Sequence, residues 1–281
     1  MTYRSLLVLL GHDAHCAPRM AFAVQLAKAM DCHLVGLAPT DLVDLPATPT
    51  AATSLVECAA IVWDALRDQA ERAADRFRDL CHAAGLSSFE AVVDECDKAE
   101  SVLRHAHCSD LAILSQVDPS SAARVAGQDL IEKVVLHSAR PTLLLPYAGR
   151  LERVDRCAMV AWDDSREAAR AVADALPLLR RAQQVRVVSW NERGAAADDE
   201  ALRASLAALR QWLMWHGVAA ETHLAPSGTQ VADAMLAHAA DIGADLIVMG
   251  AYGHTRLAER VLGGATRGLI ETMTVPVLMS H

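Results

Sequence analysis

The sequence lacks the features of a fibrous, disordered or nucleic-acid-binding chain. Glycine and proline are few, 14 and 10 of 281 residues, so collagen-like repeats and proline-rich linkers are excluded as descriptions of the whole. There is no run of lysines and arginines, and 26 basic against 35 acidic residues give a formal net charge of -9. Because the protein would repel a phosphate backbone on average, we expect no nucleic-acid partner.

Long apolar segments and paired cysteine motifs are also missing. The apolar run near the amino terminus, Leu6 to Leu10, is too short for a signal-peptide core or a membrane span. We therefore expect a cytoplasmic protein with no membrane partner. The seven cysteines include no C-x-x-C pair and no zinc-like spacing, which predicts reduced thiols and no metal site.

The chain contains one pattern twice. In each half an Asp-Leu pair opens an apolar run and is followed, at the same 31-residue spacing, by a proline that opens another: Asp110 and Pro141, then Asp245 and Pro276. Each half also begins with an apolar segment and an Ala-rich segment of helical periodicity. The first half has extra residues, and the stretch from Pro39 to Ser54 is predicted to be a loop.

Short apolar runs alternate with helical segments, which predicts an α/β fold. Runs without polar alternation, such as Leu246 to Met249, are typical of parallel strands covered on both faces. Helices between such strands impose right-handed crossovers and a doubly wound sheet. We expect two tandem domains, residues 1–148 and 154–281, each a five-stranded, mainly parallel sheet with helices on both faces.

The periodicity of the second half is regular enough to place its elements. Pro177 lies inside the first helix and predicts a bend or an early end there. The predicted strands cover about 156–162, 184–190, 220–225, 245–250 and 276–280, and the predicted helices about 165–181, 198–216, 229–242 and 264–273.

Four glycines cluster after the fourth of these strands, in the pattern G-x2-G-x9-GG: Gly250, Gly253, Gly263 and Gly264. Glycines at a strand end let the main chain turn sharply and leave room beside it, because no Cβ intrudes. The N–H groups at the start of the next helix, up to Thr266, would then form a phosphate site with the positive end of the helix dipole. The same glycines could instead only shape a turn and a helix entry.

This segment resembles the nucleotide-binding loop of the universal stress protein (UspA-like) family, G-x2-G-x9-G followed by Ser or Thr. Met249 before the first glycine and His254 after the second are as in many members. Gly264 stands where the family usually has a hydroxyl residue, and Thr266 falls on a second hydroxyl position. The resemblance implies the tandem form of the family, an adenine nucleotide alpha hydrolase-like fold, and ATP in the second domain, accompanied by Mg²⁺ or Mn²⁺.

Two further segments of the second half are similar to family positions near the nucleotide. The residues after the first strand are similar to the family's Asp-Gly-Ser, which implies that Asp163 lies near the ribose, the adenine or a cation. Asp163 or Ser165 could instead only cap the next helix. Trp190 ends a strand that meets the adenine in the family, although core packing is also open to it. The implied nucleotide-binding residues are Ala161, Trp162, Asp163, Trp190, Met249, Gly250, Gly253, His254, Gly263, Gly264, Ala265 and Thr266.

The first half has lost the glycines. An offset of 135 residues places the four glycine positions at Ser115, Asp118, Gln128 and Asp129. Two carboxylates beside a triphosphate cost Coulomb energy, so we expect a degenerate domain that binds no nucleotide in this manner. Family members pair through their final strands, and the apolar segments 142–145 and 277–279 are candidates for such pairing. A tandem chain would then mimic a dimer, and two chains would form a homodimer.

These features together predict an ATP-binding protein with a regulatory or stress-response role and an unknown protein partner. Asp163 is the only acidic candidate that the sequence places near the phosphates, and no base and nucleophile pair is evident. We therefore assign no catalytic residue and expect slow or absent hydrolysis. A nonbinding scaffold that acts through protein-protein contacts is the alternative. An adenylating enzyme is disfavoured because residues 162–165 lack the glycines of such enzymes, and Walker A and G-x-G-x-x-G motifs are absent.

Overall fold

The computed structural model describes residues 2–41, 53–148, 153–191, 196–226, 231–253 and 264–281. The chain divides into two compact units: an amino-terminal unit, Tyr3–Ile113, and a carboxyl-terminal unit, Leu114–His281, with which the first residues are grouped. The division falls within strand β4 (Leu111–Ser115). The last helix and strand of the first repeat are therefore in the same unit as the second repeat, and the boundaries 1–148 and 154–281 stay a prediction about the repeats.

The amino-terminal unit is a parallel sheet with the order β3-β2-β1-β4. The central strand β1 is apolar and fully buried at Leu6 and Val8, as a strand covered on both faces requires. The elements of this unit are β1 (Ser5–Leu9), α1 (Cys16–Met30), β2 (His33–Pro39), α2 (Thr53–Ala84), β3 (Phe89–Asp94), α3 (Lys98–Ala106) and the first part of β4.

The carboxyl-terminal unit has the strand order β5-β10-β9-β6-β7-β8, in which only the pairing of β5 with β10 is antiparallel among the described strands. Helices cover both faces of the sheet, which confirms the predicted α/β fold. Its elements are α4 (Arg124–His137), β5 (Thr142–Leu145), β6 (Cys157–Ala161), α5 (Arg166–Leu179), β7 (Gln184–Asn191), α6 (Ala196–Trp215), β8 (Glu221–Pro226), α7 (Val231–Asp241), β9 (Leu246–Gly250), α8 (Gly264–Thr272) and β10 (Val277–Ser280).

The final strands of the two repeats pair with each other, as the sequence predicts. Leu143 lies opposite Leu278, and Leu144 lies opposite Val277. All four side chains are fully buried, so apolar burial favours this antiparallel ladder. Pro177 lies near the end of α5, which continues to Leu179 and thus ends slightly earlier than predicted. None of the helices in the described ranges is long and apolar enough to cross a membrane.

Candidate functional site

The sheet register brings three predicted segments of the second repeat side by side. Ala161 at the end of β6 lies next to Met249 on β9 and next to Val188 on β7. Ala161 and Met249 are buried, so their side chains are part of the core. The strands are parallel, so their carboxyl ends lie at one edge of the sheet, where doubly wound folds bind their ligands.

The turn after β6 is held by its own side chains. The Oδ1 atom of Asp163 accepts hydrogen bonds from the Ser165 main-chain N–H at 3.1 Å and from the Ser165 hydroxyl at 2.6 Å. The Ser165 Oγ accepts the Ala168 N–H at 3.1 Å and caps α5. The capping interpretation is therefore confirmed for Ser165, while Asp163 supports the cap and remains exposed at the edge of the sheet.

The side chain of Trp162 is directed into the protein. It is 7% exposed, and its indole Nε1–H donates a hydrogen bond to the Ser205 hydroxyl on α6 at 2.8 Å. The Trp162 main-chain N–H bonds the carbonyl of Val188. The indole thus fastens α6 to the end of β6, and this ring is not presented to the edge of the sheet.

The first two glycines of the motif lie against helix α5. A Cβ on Gly250 would be 2.5 Å from the main-chain nitrogen of Ala168 and 2.6 Å from the carbonyl carbon of Glu167. A Cβ on Gly253 would be 2.9 Å from the Glu167 carboxylate and 3.5 Å from the Ser165 hydroxyl. We call the segment from Gly250 to Gly253 the glycine turn. Close approach of the α5 main chain is a sufficient reason for Gly250, independent of any ligand, whereas a Cβ on Gly253 would contact only side-chain atoms.

Glu167 is an acid beside the glycine turn that the sequence reasoning missed. It is 4% exposed and pairs with Arg166. Burial alone would raise the pKa of the Glu167 carboxyl, but the hydrogen bond from Arg166, a main-chain hydrogen bond and the charge of His281 lower it below its usual value. The carboxylate is therefore ionised near neutral pH. The sequence signal was its position two residues after the capping serine, in the first turn of α5.

Helix α8 is tied to the glycine turn. Tyr252 has a left-handed backbone with φ 58°, and its N–H donates to the hydroxyl of Thr266 in the first turn of α8 at 3.3 Å. The Thr266 side chain is 4% exposed. Burial of the Tyr252 hydroxyl raises the pKa of Tyr252 to about 12. The predicted residues His254 and Gly263 lie outside the described residues, and for Gly264 and Ala265 only the helical backbone is described.

Trp190 packs against a histidine pair. Its ring meets His238 of α7 edge to face, with centroids 6.3 Å apart, and His238 stacks on His223 of β8 at 5.3 Å. Burial, followed by the charges of His223 and Arg186 against an opposing effect of Asp241, lowers the pKa of His238. These contacts favour a packing role for the half-buried Trp190 ring.

The corresponding positions of the first repeat are engaged within the protein. Asp118 accepts hydrogen bonds from the N–H and hydroxyl of Ser120 at 2.8 and 2.7 Å. The Gln128 amide donates to Glu271 of α8 at 3.2 Å. The glycine that remains nearby, Gly127, is packed against Val117, whose Cγ2 would be 2.5 Å from an added Cβ. Side chains thus stand where the second repeat has glycines.

The turn after β1 has a different charge balance from the turn after β6. Asp13 accepts the His15 N–H at 3.1 Å, as Asp163 does for Ser165. It also pairs with Arg19, which is 3% exposed, at 2.9 Å. Burial would raise the pKa of Asp13, but the hydrogen bond and charge of Arg19 lower it overall. The amino-terminal unit therefore neutralises its equivalent carboxylate internally.

Comparison with known proteins identifies the second repeat. Residues 157–281 match the family model described as the universal stress protein family. The second repeat is therefore similar to the universal stress protein family. The matched range contains the glycine turn, the capping turn after β6 and α8.

Solved universal stress proteins have a similar fold over nearly the whole chain. One from Archaeoglobus fulgidus DSM 4304 has a TM-score of 0.74 and 17% identity, with 98% of this chain and 95% of that chain covered. A protein described as a universal stress protein from Pseudomonas aeruginosa UCBPP-PA14 has a TM-score of 0.61 and 16% identity, with 99% and 93% covered. Both repeats therefore have the universal stress protein fold. A search of curated proteins returned no match.

Proposed function

We propose that the second repeat binds ATP, accompanied by Mg²⁺ or Mn²⁺. In this proposal the protein is a cytoplasmic regulator in the stress response, and the presence of bound nucleotide determines which proteins it binds. Homodimer formation is part of this proposal, and light scattering during size-exclusion chromatography tests it separately. The support comes from the match of residues 157–281 to the family model and from the charges around the glycine turn.

One observation carries the proposal: the amino-terminal ends of two helices meet the glycine turn. Ser165, the cap of α5, would lie 3.5 Å from a Cβ on Gly253, and Thr266 in the first turn of α8 bonds Tyr252 at 3.3 Å. The first N–H groups of a helix have no partner within the helix, and its dipole is positive at that end. Two such ends at one edge of the sheet favour an anionic ligand such as a phosphate chain.

The acids at this edge explain why a cation belongs to the proposal. Asp163 is exposed at the sheet edge, and the ionised Glu167 lies beside Gly253. A triphosphate near two carboxylates is repelled unless a divalent cation reduces the charge, and carboxylate and phosphate oxygens are ligands that Mg²⁺ prefers. The Ser165 hydroxyl bonds the Asp163 carboxylate, but the same hydroxyl caps α5 at Ala168. We therefore assign this pair a structural role and propose binding with slow or absent hydrolysis.

Equilibrium titration of the full chain with ATP, ADP and AMP, with and without Mg²⁺, tests the proposal. We expect affinity tighter than about 1 mM for ATP with Mg²⁺. Gly263→Leu should abolish binding, because a bulky residue blocks close approach of phosphate to the main chain. Gly268→Ala, later in α8, is the matched control and should bind normally. Weaker affinity for all three nucleotides would refute the proposal.

A nonbinding scaffold is the second candidate, and two observations favour it. The packing of the α5 main chain against Gly250 explains this glycine without a ligand. Met214 and Trp215, at the end of α6, are 54% and 75% exposed, and exposed apolar side chains are typical of interaction surfaces. If neither the wild type nor Gly263→Leu binds any of the three nucleotides, the scaffold function is the correct one.

A further inference from the structure

The carboxyl-terminal unit has a second concave feature, away from the glycine turn. A groove of about 520 Å³ is lined by residues of α6 and of strand β8. Its apolar floor is formed by Leu206, Ala207 and Leu224. Strand β8 is the last strand of the sheet in this unit, so the groove is open along one side. This volume is within the usual range for small-molecule sites.

Two arginines stand along this groove. Arg203 and Arg210 both line it, and their spacing of seven residues places them on the same face of α6, two turns or about 10.5 Å apart. Both are exposed, and neither has a hydrogen bond or ion pair with any residue in the described part of the chain. Among the described residues, none of those that line the groove is acidic, although the chain as a whole has a net charge of -9.

The remaining lining residues add polar groups without charge. Gln211 and Thr222 lie at the groove and can each donate a hydrogen bond to an oxygen of a ligand. Leu206, which forms part of the floor, is buried. Along the helix, the groove therefore presents one arginine, an apolar stretch and a second arginine, with uncharged hydrogen-bond donors beside them.

Helix α6 is held firmly enough to present this pattern. Leu209 and Leu213 are buried beneath it at 7% and 0% exposure, and Ser205 accepts the hydrogen bond from Trp162 at 2.8 Å. The Cα atoms of the two arginines are therefore held at a defined separation.

We propose that this groove binds an elongated organic dianion with two carboxylate-like groups about 10 Å apart and an apolar chain between them. Each guanidinium takes one anionic end as a bidentate partner, and the chain lies on the floor of Leu206, Ala207 and Leu224. A monoanion leaves one arginine without a ligand, and a short dianion cannot reach both. This site is independent of the nucleotide proposal, since it uses none of the residues at the glycine turn.

Sebacate, a ten-carbon α,ω-dicarboxylate, is the probe. In titrations of ¹⁵N-labelled full-length protein, we expect saturable shifts of the arginine Nε–H signals that Arg203→Gln and Arg210→Gln assign. Sebacate should bind about three- to tenfold more tightly than decanoate, which has one charge, because exposed ion pairs contribute modestly. Succinate and 1,10-decanediol, which lack the apolar chain and the charges respectively, should show no saturable binding.

Variants separate this site from nonspecific association. Either arginine variant should lower sebacate affinity to that of decanoate. Ala207→Glu puts a negative charge on the floor and should abolish binding. The adjacent Ala208→Glu, on an exposed position that does not line the groove, is the matched control and should bind as the wild type does. Equal affinities for sebacate and decanoate, or binding that survives Ala207→Glu, would overturn the proposal.

Discussion

Gly250→Ala is the sharpest test of how α5 packs on β9. An alanine Cβ at this position would be 2.5 Å from the main-chain nitrogen of Ala168 and 2.6 Å from the carbonyl carbon of Glu167. Ordinary contacts begin near 3.4 Å, so the overlap is close to 1 Å. Both atoms belong to the main chain, and no side-chain rotation can relieve the clash. The first turn of α5 must therefore move away from the strand.

This movement lowers the free energy of unfolding of the variant. Overpacking a well-packed site costs about 1–3 kcal/mol. Because main-chain atoms are overlapped here and the Ser165–Ala168 cap is strained as well, we expect the upper end, about 3 kcal/mol. For a domain of this size, each kcal/mol lowers the melting temperature by about 2–4 °C. The variant should thus melt about 6–12 °C below the wild type.

Scanning calorimetry and urea denaturation of the full chain measure this effect. Gly268→Ala is the control of opposite sign, because its Cβ would lie 3.4 Å from the Ala232 Cβ, an ordinary contact. That position is within α8, so alanine should stabilise it by about 0.5–1 kcal/mol. A Gly250→Ala protein that melts within about 1 °C of the wild type would refute the packing argument.

Two further predictions concern the acids at the turns. Glu167→Gln removes a buried charge beside Gly253 and should strengthen ATP binding in EDTA about three- to tenfold; a titration checks this, and unchanged affinity contradicts it. Asp13 has a pKa below its ordinary value of 3.8, so its ion pair with Arg19 stabilises the fold above that value and is lost as pH falls through the lower folded-state pKa. The free energy of unfolding, measured by urea denaturation, should therefore fall more steeply with acid in the wild type than in Arg19→Met. Parallel acid profiles of the two proteins would contradict this.

The fold of the second repeat could be predicted because its elements are local patterns. The strand predicted at 184–190 is β7, Gln184–Asn191, and the helix predicted at 264–273 is α8, Gly264–Thr272. Periodicity, apolar runs and glycine breaks report directly on such elements. The pairing of β5 with β10 was also predictable, since two apolar edge strands favour pairing.

The contacts of the side chains around the site could not be predicted in the same way. Trp162 matched a family position, yet its ring bonds Ser205, which is 43 residues further along the chain. Glu167 carried no motif, yet it lies against Gly253. Contacts of this kind depend on how a helix is rotated and seated on the sheet, which no local pattern specifies.

The sequence by itself determined the repeated α/β pattern, the glycine motif and its loss from the first repeat, because each is written in residue type and spacing. Only the tertiary structure decided that Gly250 and Gly253 face α5, that Glu167 stands beside them, and that the compact units divide within β4. The physical reason is that these features arise from close packing between distant segments, where a difference of about 1 Å separates an open site from a filled one.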